Sequence, residues 1–112
     1  MPVDVPVLPD LRMNEAAPDV DAPLAAAAML ADRCRAGILA ILRDGPHCVC
    51  EMAAALGERQ NNVSNHLARL REAGLVRATR GPGDTRRVYY ERDEAACTAA
   101  LADLRALLEV PA

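Results

Sequence analysis

The fold of this chain is decided by the stretch QNNVSNHLARLREAGLV, residues 60–76. Its apolar side chains recur at the i, i+4 and i+7 spacing of one helix face, at Val63, Leu67 and Leu70. This spacing predicts a helix over residues 60–73. Gly74 follows it, where a glycine commonly ends a helix. The stretch therefore predicts a helix with one buried face and one polar face.

Three more helices are predicted on the N-terminal side of this stretch. The alanine-rich segment 24–31 predicts a first helix. Asp32 is a suitable N-cap for a second helix over residues 33–43. A third helix is predicted over residues 49–56, with Gly57 as its C-cap. The third helix, a glycine turn and the helix from residue 60 together predict a helix-turn-helix.

A wing and a last helix are predicted on the C-terminal side. Two β-prone runs, residues 75–79 and 86–90, flank the Gly-Pro-Gly-Asp run at 81–84, which predicts a β-hairpin. Residues 93–109 carry a broad leucine and alanine stripe and predict a last helix. The order of elements predicts a mainly α fold with a β-hairpin wing, which is a winged helix-turn-helix.

The chain of 112 residues is expected to form one small domain. Residues 1–22 hold four of the eight prolines and several acids, so we expect a flexible N-terminal arm. Residues 23–110 then form the winged helix-turn-helix domain, which carries DNA binding and dimerisation. With two tyrosines and no Phe or Trp, the core gains little burial per residue, and extra burial in a homodimer is expected.

The location of the protein is predicted from what the sequence lacks. No apolar run approaches the roughly 20 residues of a membrane span, and the N-terminus has no signal-peptide pattern. We expect a cytoplasmic protein with no membrane partner. In that compartment the four cysteines, Cys34, Cys48, Cys50 and Cys97, are expected to be reduced thiols.

The charge distribution indicates a nucleic-acid partner. The net charge is −3, yet residues 59–92 hold eight of the thirteen basic residues against three acids, a footprint for phosphates. Amide and hydroxyl side chains can bond base edges, and arginines can bond phosphates. The candidate DNA-binding residues are Gln60, Asn61, Asn62, Ser64, Asn65, His66, Arg69, Arg71, Arg86 and Arg87. For His66 helix packing is the alternative role, and for the whole domain the alternative is a protein-interaction module.

Several motifs in order resemble the ArsR/SmtB family of metal-responsive repressors over about residues 24–108. They are Ala31-Asp32 with Arg35, VSNHL at 63–67, LREAGLV at 70–76 and Val88-Tyr89-Tyr90. The resemblance implies a homodimeric repressor that binds an inverted-repeat operator in double-stranded DNA, with the first and last helices packed across the two-fold axis. One departure is Arg59, where similar members carry a Ser or Thr cap, so either the cap comes from elsewhere or the helix start is frayed.

The run Cys48-Val49-Cys50 is the candidate metal site. Soft thiolates select soft ions, here As(III)/Sb(III) or Cd(II)/Pb(II). The pair resembles the CVC site of the arsenic and cadmium/lead branches of the family, which implies that the ion releases the repressor from DNA. Residues i and i+2 point about 200° apart on a regular helix. We therefore expect the helix start to unwind before both sulfurs meet one ion.

Two thiolates are too few ligands for a tight trigonal metal site. The arsenic branch often supplies a third cysteine where this chain has Ala53. The candidates for the third ligand are Cys34, Cys97, His47 and a group from the other protomer, although Cys34 and Cys97 also fit inert core cysteines. The other common site of the family needs histidines on the last helix, and no histidine follows His66. A sensor of harder ions is therefore not expected.

Two other functions fit parts of the sequence. The same repressor could sense oxidants or persulfides through a cysteine pair such as Cys34 and Cys97. An enzyme with Cys48 or Cys50 as redox nucleophile is disfavoured, since the spacing is C-x-C rather than C-x-x-C. We therefore expect no enzymatic activity and no organic cofactor.

Overall fold

The computed structural model describes residues 17–81, 83 and 86–110. The elements in chain order are α1 (Asp21–Leu30), α2 (Arg33–Leu42), β1 (His47–Cys48), α3 (Val49–Leu56), α4 (Gln60–Glu72), β2 (Val76–Arg80), β3 (Val88–Arg92) and α5 (Glu94–Leu108). Helices α3 and α4 form a helix-turn-helix, and β2 and β3 follow it as a wing, so the predicted winged helix-turn-helix is confirmed. Within these residues no helix is long and apolar enough to cross a membrane.

Local side-chain chemistry sets the helix ends. The Asp32 carboxylate accepts the backbone N–H groups of Cys34 at 2.9 Å and Arg35 at 3.0 Å, which starts α2 as predicted. The Asp93 carboxylate accepts the N–H of Ala96 at 2.9 Å. Asp93 is therefore the N-cap of α5 and not, as predicted, its first residue. Gly57 ends α3 with φ of 67°, a left-handed conformation that favours glycine.

The start of α4 lacks the usual side-chain cap. Arg59 occupies the N-cap position, and its side chain makes no capping hydrogen bond. The nearest substitute is Glu58, whose carboxylate accepts the side-chain amide of Asn62 at 2.8 Å. A carboxylate at this end of a helix interacts favourably with the helix dipole. A cap for α4 supplied from elsewhere in the chain therefore stays a prediction.

The wing belongs to a three-stranded antiparallel sheet in the order β1-β3-β2. Strands β2 and β3 pair from Val76 with Arg92 to Arg80 with Val88, one to two residues later than predicted. The predicted turn at 81–84 lies largely outside the described residues. Strand β1 is an addition that the sequence did not predict, because two residues are too short to show a period. Its pairing sets Cys48 opposite Tyr89.

The core lies between α2, α3 and α4. The predicted apolar face of α4 is confirmed, and the fully buried large side chains are Ile38, Met52, Leu67, Leu70 and Val63. Because the apolar face of α4 is buried here, its polar face points away from the domain. The core thereby fixes which side of α4 can meet a partner.

Helices α1 and α5 pack against each other at one side of the core. They leave large apolar side chains exposed at Leu24, Leu30, Leu101, Leu107 and Leu108. No residue of α5 is buried. Of the predicted arm, residues 1–16 lie outside the described residues, while Asp21 and Ala22 already belong to α1.

A matched pair of valines tests the assignment of the core. Val63 is fully buried and Val88 is 53% exposed. Val63→Ala should lower the free energy of unfolding by about 2 kcal/mol through lost burial and a residual cavity. Val88→Ala should cost well under half as much. Urea unfolding followed by circular dichroism measures both, and equal losses would contradict the assigned face of α4.

Candidate metal centre and nucleic-acid interface

The two cysteines of the CVC run lie together without any unwinding of the helix. Cys48 is the N-cap of α3, with extended backbone angles of φ −92° and ψ 168°. Its Sγ lies 2.9 Å from the Sγ of Cys50. The expectation that the helix must unwind is therefore wrong, because Cys48 lies outside the helix and the 200° rule does not apply to it. Thiolates on one tetrahedral ion with bonds of ~2.3 Å lie roughly 3.8 Å apart, a small side-chain adjustment.

Two backbone contacts fix Cys48 in this conformation. Its N–H donates to the carboxylate of Glu51 at 2.9 Å, the return half of a capping box. Its backbone also pairs with Tyr89 of β3. Glu51 is a site residue that the sequence analysis missed, although a glutamate three residues after an N-cap is a recognisable signal.

The thiol pair borders an open cavity of about 280 Å³. Cys48 is buried and Cys50 is half-buried, so the sulfur of Cys50 is the more accessible. The lining residues are Cys48, Val49, Cys50, Gln60, Arg87 and Val88. This thiol cavity therefore lies where the starts of α3 and α4 meet the wing. Two soft sulfurs beside open space suit a thiophilic ion.

Electrostatics favour the protonated form of Cys50. The pKa of Cys50 is raised, first by its hydrogen bond with Cys48 and then by burial, while the Arg87 guanidinium opposes the rise. The pKa of Arg87 is raised in turn, chiefly by the charge of Cys50. The N–H of Cys48 lowers the pKa of the Glu51 carboxyl. An incoming ion would therefore displace thiol protons.

The candidate third ligands are not gathered at this pair. Cys34 is buried at the start of α2. The thiol of Cys97, on α5, donates to the Leu75 carbonyl at 3.8 Å. The Nδ1 of His47 lies 2.8 Å from the Gly45 carbonyl oxygen. Among the described residues no three side chains of His, Cys, Asp or Glu form a group that could hold a metal. The structure brings together Cys48 and Cys50, and the third ligand stays a prediction.

Most of the candidate DNA-binding residues lie on the outer surface. Eight of the ten are exposed: Gln60, Asn61, Ser64, Asn65, Arg69, Arg71, Arg86 and Arg87. The guanidinium of Arg71 lies over the Tyr90 ring, 6.0 Å from its centroid, which ties α4 to the wing. Asn62 is half-buried and bonded to Glu58. The polar face of α4 and the wing thus form one exposed surface.

Two arginines of the basic segment are neutralised within the protein. Arg77 bonds Glu91 at 2.8 Å and Asp93 at 3.2 Å. Arg92 pairs with Glu94 at 3.0 Å. Counting charges in the sequence cannot identify Arg77 as neutralised, since its pairing with Glu91 depends on strand register. The charge that remains for phosphates is concentrated on α4 and near Arg86 and Arg87.

His66 faces inward from α4, and its Nδ1 lies 3.0 Å from Nη1 of the buried Arg35. Of the two roles that the sequence left open, DNA contact and helix packing, the structure places His66 in packing. Arg35 is a second residue that the sequence analysis missed in this role. No sequence signal marks the contact, because 31 positions separate the two residues.

A winged helix-turn-helix in which α4, the second helix of the motif, has an exposed polar face is the architecture of many DNA-binding regulators. The model of the family described as bacterial regulatory protein, arsR family, matches residues 32–78. A solution structure of the homodimeric winged helix-turn-helix DNA-binding domain of a possible ArsR-family transcriptional regulator from Mycobacterium bovis is 30% identical. The similarity covers 78% of this chain and 80% of that one, with a TM-score of 0.60. This chain belongs to the ArsR family.

Two curated relatives are similar to part of the chain. The arsenical resistance operon repressor of Escherichia coli is 47% identical over 49 residues, which are 43% of this chain and 42% of that protein. The transcriptional regulator CmtR of Mycobacterium tuberculosis is 43% identical over 75 residues, 67% of this chain and 61% of CmtR. The chain thus spans less than two thirds of the length of these relatives.

Differences in thiol exposure predict an order of alkylation. Cys50, half-buried at the thiol cavity, should react with iodoacetamide before Cys34 and Cys48, which are 8% and 2% exposed. Because its pKa is raised, the rate at Cys50 should be slower than that of a model thiol at pH 7 and should increase as pH rises. Peptide mass spectrometry of briefly treated protein measures the order. Faster labelling of Cys34 than of Cys50 would contradict it.

Proposed function

We propose that this protein is a homodimeric transcriptional repressor that a thiophilic ion releases from an inverted-repeat operator. The ion, As(III)/Sb(III) or Cd(II)/Pb(II), binds the thiolates of Cys48 and Cys50. The observation that carries the proposal is the 2.9 Å separation of the two sulfurs beside an open cavity. The name of the E. coli relative, an arsenical resistance operon repressor, supports the same class of inducer.

Operator binding uses the exposed face of α4 and the wing. The amides of Gln60, Asn61 and Asn65 suit base edges in the major groove. Arg69 and Arg71 follow along the helix and suit the phosphate backbone. The exposure of these side chains supports this assignment.

Dimerisation uses α1 and α5. Two of the exposed leucines, Leu30 of α1 and Leu101 of α5, line a groove of about 240 Å³ whose lining is largely apolar. A second copy of the chain is the partner proposed for it, because the mycobacterial relative is a homodimer of the same fold. Such a face repeated on two copies gives a two-fold interface.

Release follows from the position of the thiol cavity. Gln60 is the first residue of α4, and Arg87 precedes β3, so residues of both DNA-reading elements line the cavity. The pairing of Cys48 with Tyr89 joins the site to the wing backbone. An ion held by the two sulfurs therefore acts on α4 and the wing together. Because coupling is reciprocal, operator DNA lowers the affinity for the ion by the same factor.

The double change Cys48→Ser/Cys50→Ser tests the inducer site. The variant should bind the operator like the wild type and should no longer be released by As(III), Cd(II) or Pb(II). Fluorescence anisotropy on an operator duplex measures release, and ultraviolet thiolate bands measure ion binding. Release of the variant at wild-type ion concentrations would refute the site.

The matched controls are Cys34→Ser and Cys97→Ser. A change in ion stoichiometry in either variant identifies that cysteine as the third ligand. If a persulfide donor releases the wild type but neither of these variants, the signal is sensed through Cys34 and Cys97 instead. Loss of DNA binding in the double variant would mark Cys48 and Cys50 as structural.

Substitutions of two neighbouring arginines distinguish the contribution of the wing to operator binding from its contribution to ion binding. Arg86 and Arg87 are both exposed, and only Arg87 lines the thiol cavity. Arg86→Ala and Arg87→Ala should each weaken operator binding and reduce the salt slope by about 1. Arg87→Ala should also weaken ion binding, by roughly two- to fivefold, because a positive charge beside the thiolates is lost. Equal ion affinity in the two variants would argue against coupling through Arg87.

A further inference from the structure

A buried arginine joins three helices of the domain. Arg35, on α2, is 7% exposed and is the buried charged residue of the described part of the chain. Its Nε donates to the Met29 carbonyl at 2.8 Å, and its Nη2 donates to the Ala28 carbonyl at 3.0 Å. Both carbonyls lie in the last turn of α1, where a cation is favoured by the helix dipole. The third contact is Nη1 with Nδ1 of His66 on α4.

The chemistry of this contact fixes the state of His66. A guanidinium can only donate, so the Nδ1 of His66 must accept and its proton lies on Nε2. Nε2 faces the Asp32 carboxylate, with 3.8 Å between Nε2 and Oδ1. The His66 side chain is 17% exposed. The imidazole is thus held on one edge by Arg35, beside the carboxylate that caps α2.

Arg35 and His66 together form a polar relay, which links α1 directly to α4. Helix α1 packs chiefly on α5 and α2, whereas α4 packs on α2, α3 and β2. A buried guanidinium that loses an acceptor is costly, since its desolvation is no longer offset. The orientation of α4 relative to α1 that satisfies Arg35 is therefore strongly preferred.

We propose that Arg35 and His66 are positioning residues that fix the recognition helix α4 relative to the dimerisation helix α1, and so set the half-site spacing of the operator. The proposal rests on the proposed function, in which α1 contributes to the dimer interface. A helix-turn-helix dimer reads half-sites at a separation set by the distance between its recognition helices. Because the relay fixes α4 relative to α1, it also fixes the distance between the two recognition helices of the dimer.

Two substitutions that introduce side chains of nearly equal size distinguish the hydrogen-bond acceptor role of His66 from its role in packing. In His66→Asn the side-chain oxygen can replace Nδ1 as acceptor, whereas in His66→Leu no acceptor is present. The probe is an inverted-repeat duplex that the wild type selects from a randomised library, with its spacer lengthened and shortened by one base pair. His66→Asn should keep the affinity within about threefold and keep the wild-type spacing preference. His66→Leu should lose about tenfold on the selected duplex and discriminate less between spacers.

A measurement without DNA keeps this proposal separate from the proposed function. Spin labels are placed by unnatural amino acids at the exposed positions Ala27 and Asn61, on α1 and α4, and the labelled chain is diluted with unlabelled chain. The distance distribution should be narrow in the wild type and in His66→Asn and broad in His66→Leu. If the wild type selects no duplex, the proposed function fails, while this distribution still decides whether the relay positions α4.

A second variant covers the case in which His66→Leu does not fold. Arg35→Lys keeps the charge, but one ammonium group cannot reach two carbonyls of α1 and His66 together. It should broaden the distance distribution and reduce spacer discrimination as His66→Leu does. Unchanged spacing preference and a narrow distribution in either variant would overturn the proposal. So would a broad distribution in His66→Asn, because the acceptor would then be irrelevant.

Discussion

The extended backbone of Cys48 is the constraint on which the rest of the candidate site depends. At ψ of 168° the residue ends strand β1 and caps helix α3 at once. The strand pairing secures it from one side and the Glu51 carboxylate from the other. A helical Cys48 would turn its sulfur away from Cys50 and would leave β3 without its outer partner. The sulfur pair, the cavity beside it and the edge of the sheet are thus consequences of one local conformation.

The distribution of exposed charge likewise depends on contacts within the domain. Glu91 of β3 and Asp93, just before α5, neutralise Arg77, and Glu94 pairs with Arg92. Arg35 is buried in the interior, where its guanidinium donates to two carbonyls of α1 and to the imidazole of His66. Within residues 59–92, the remaining exposed arginines lie on or next to α4 and at the wing. A chain of net charge −3 can therefore present a basic face to a phosphate backbone.

The parts of the structure that sequence predicts are those set by local periodicity and capping. The spacing of Val63, Leu67 and Leu70 is enough to predict α4, and Asp32 predicts the start of α2. The parts that escape it are nonlocal. Strand β1 has two residues and exists through its pairing with β3. The contact of Arg35 with His66 likewise depends on how α2 meets α4, which no single segment encodes.

Helix α5 buries none of its fifteen residues within its own protomer. In the proposed homodimer a second copy covers α5, so the stability of this helix is governed by mass action and increases with protein concentration. The amount of protein in the cell, rather than its sequence alone, becomes a determinant of how much of it is folded and paired.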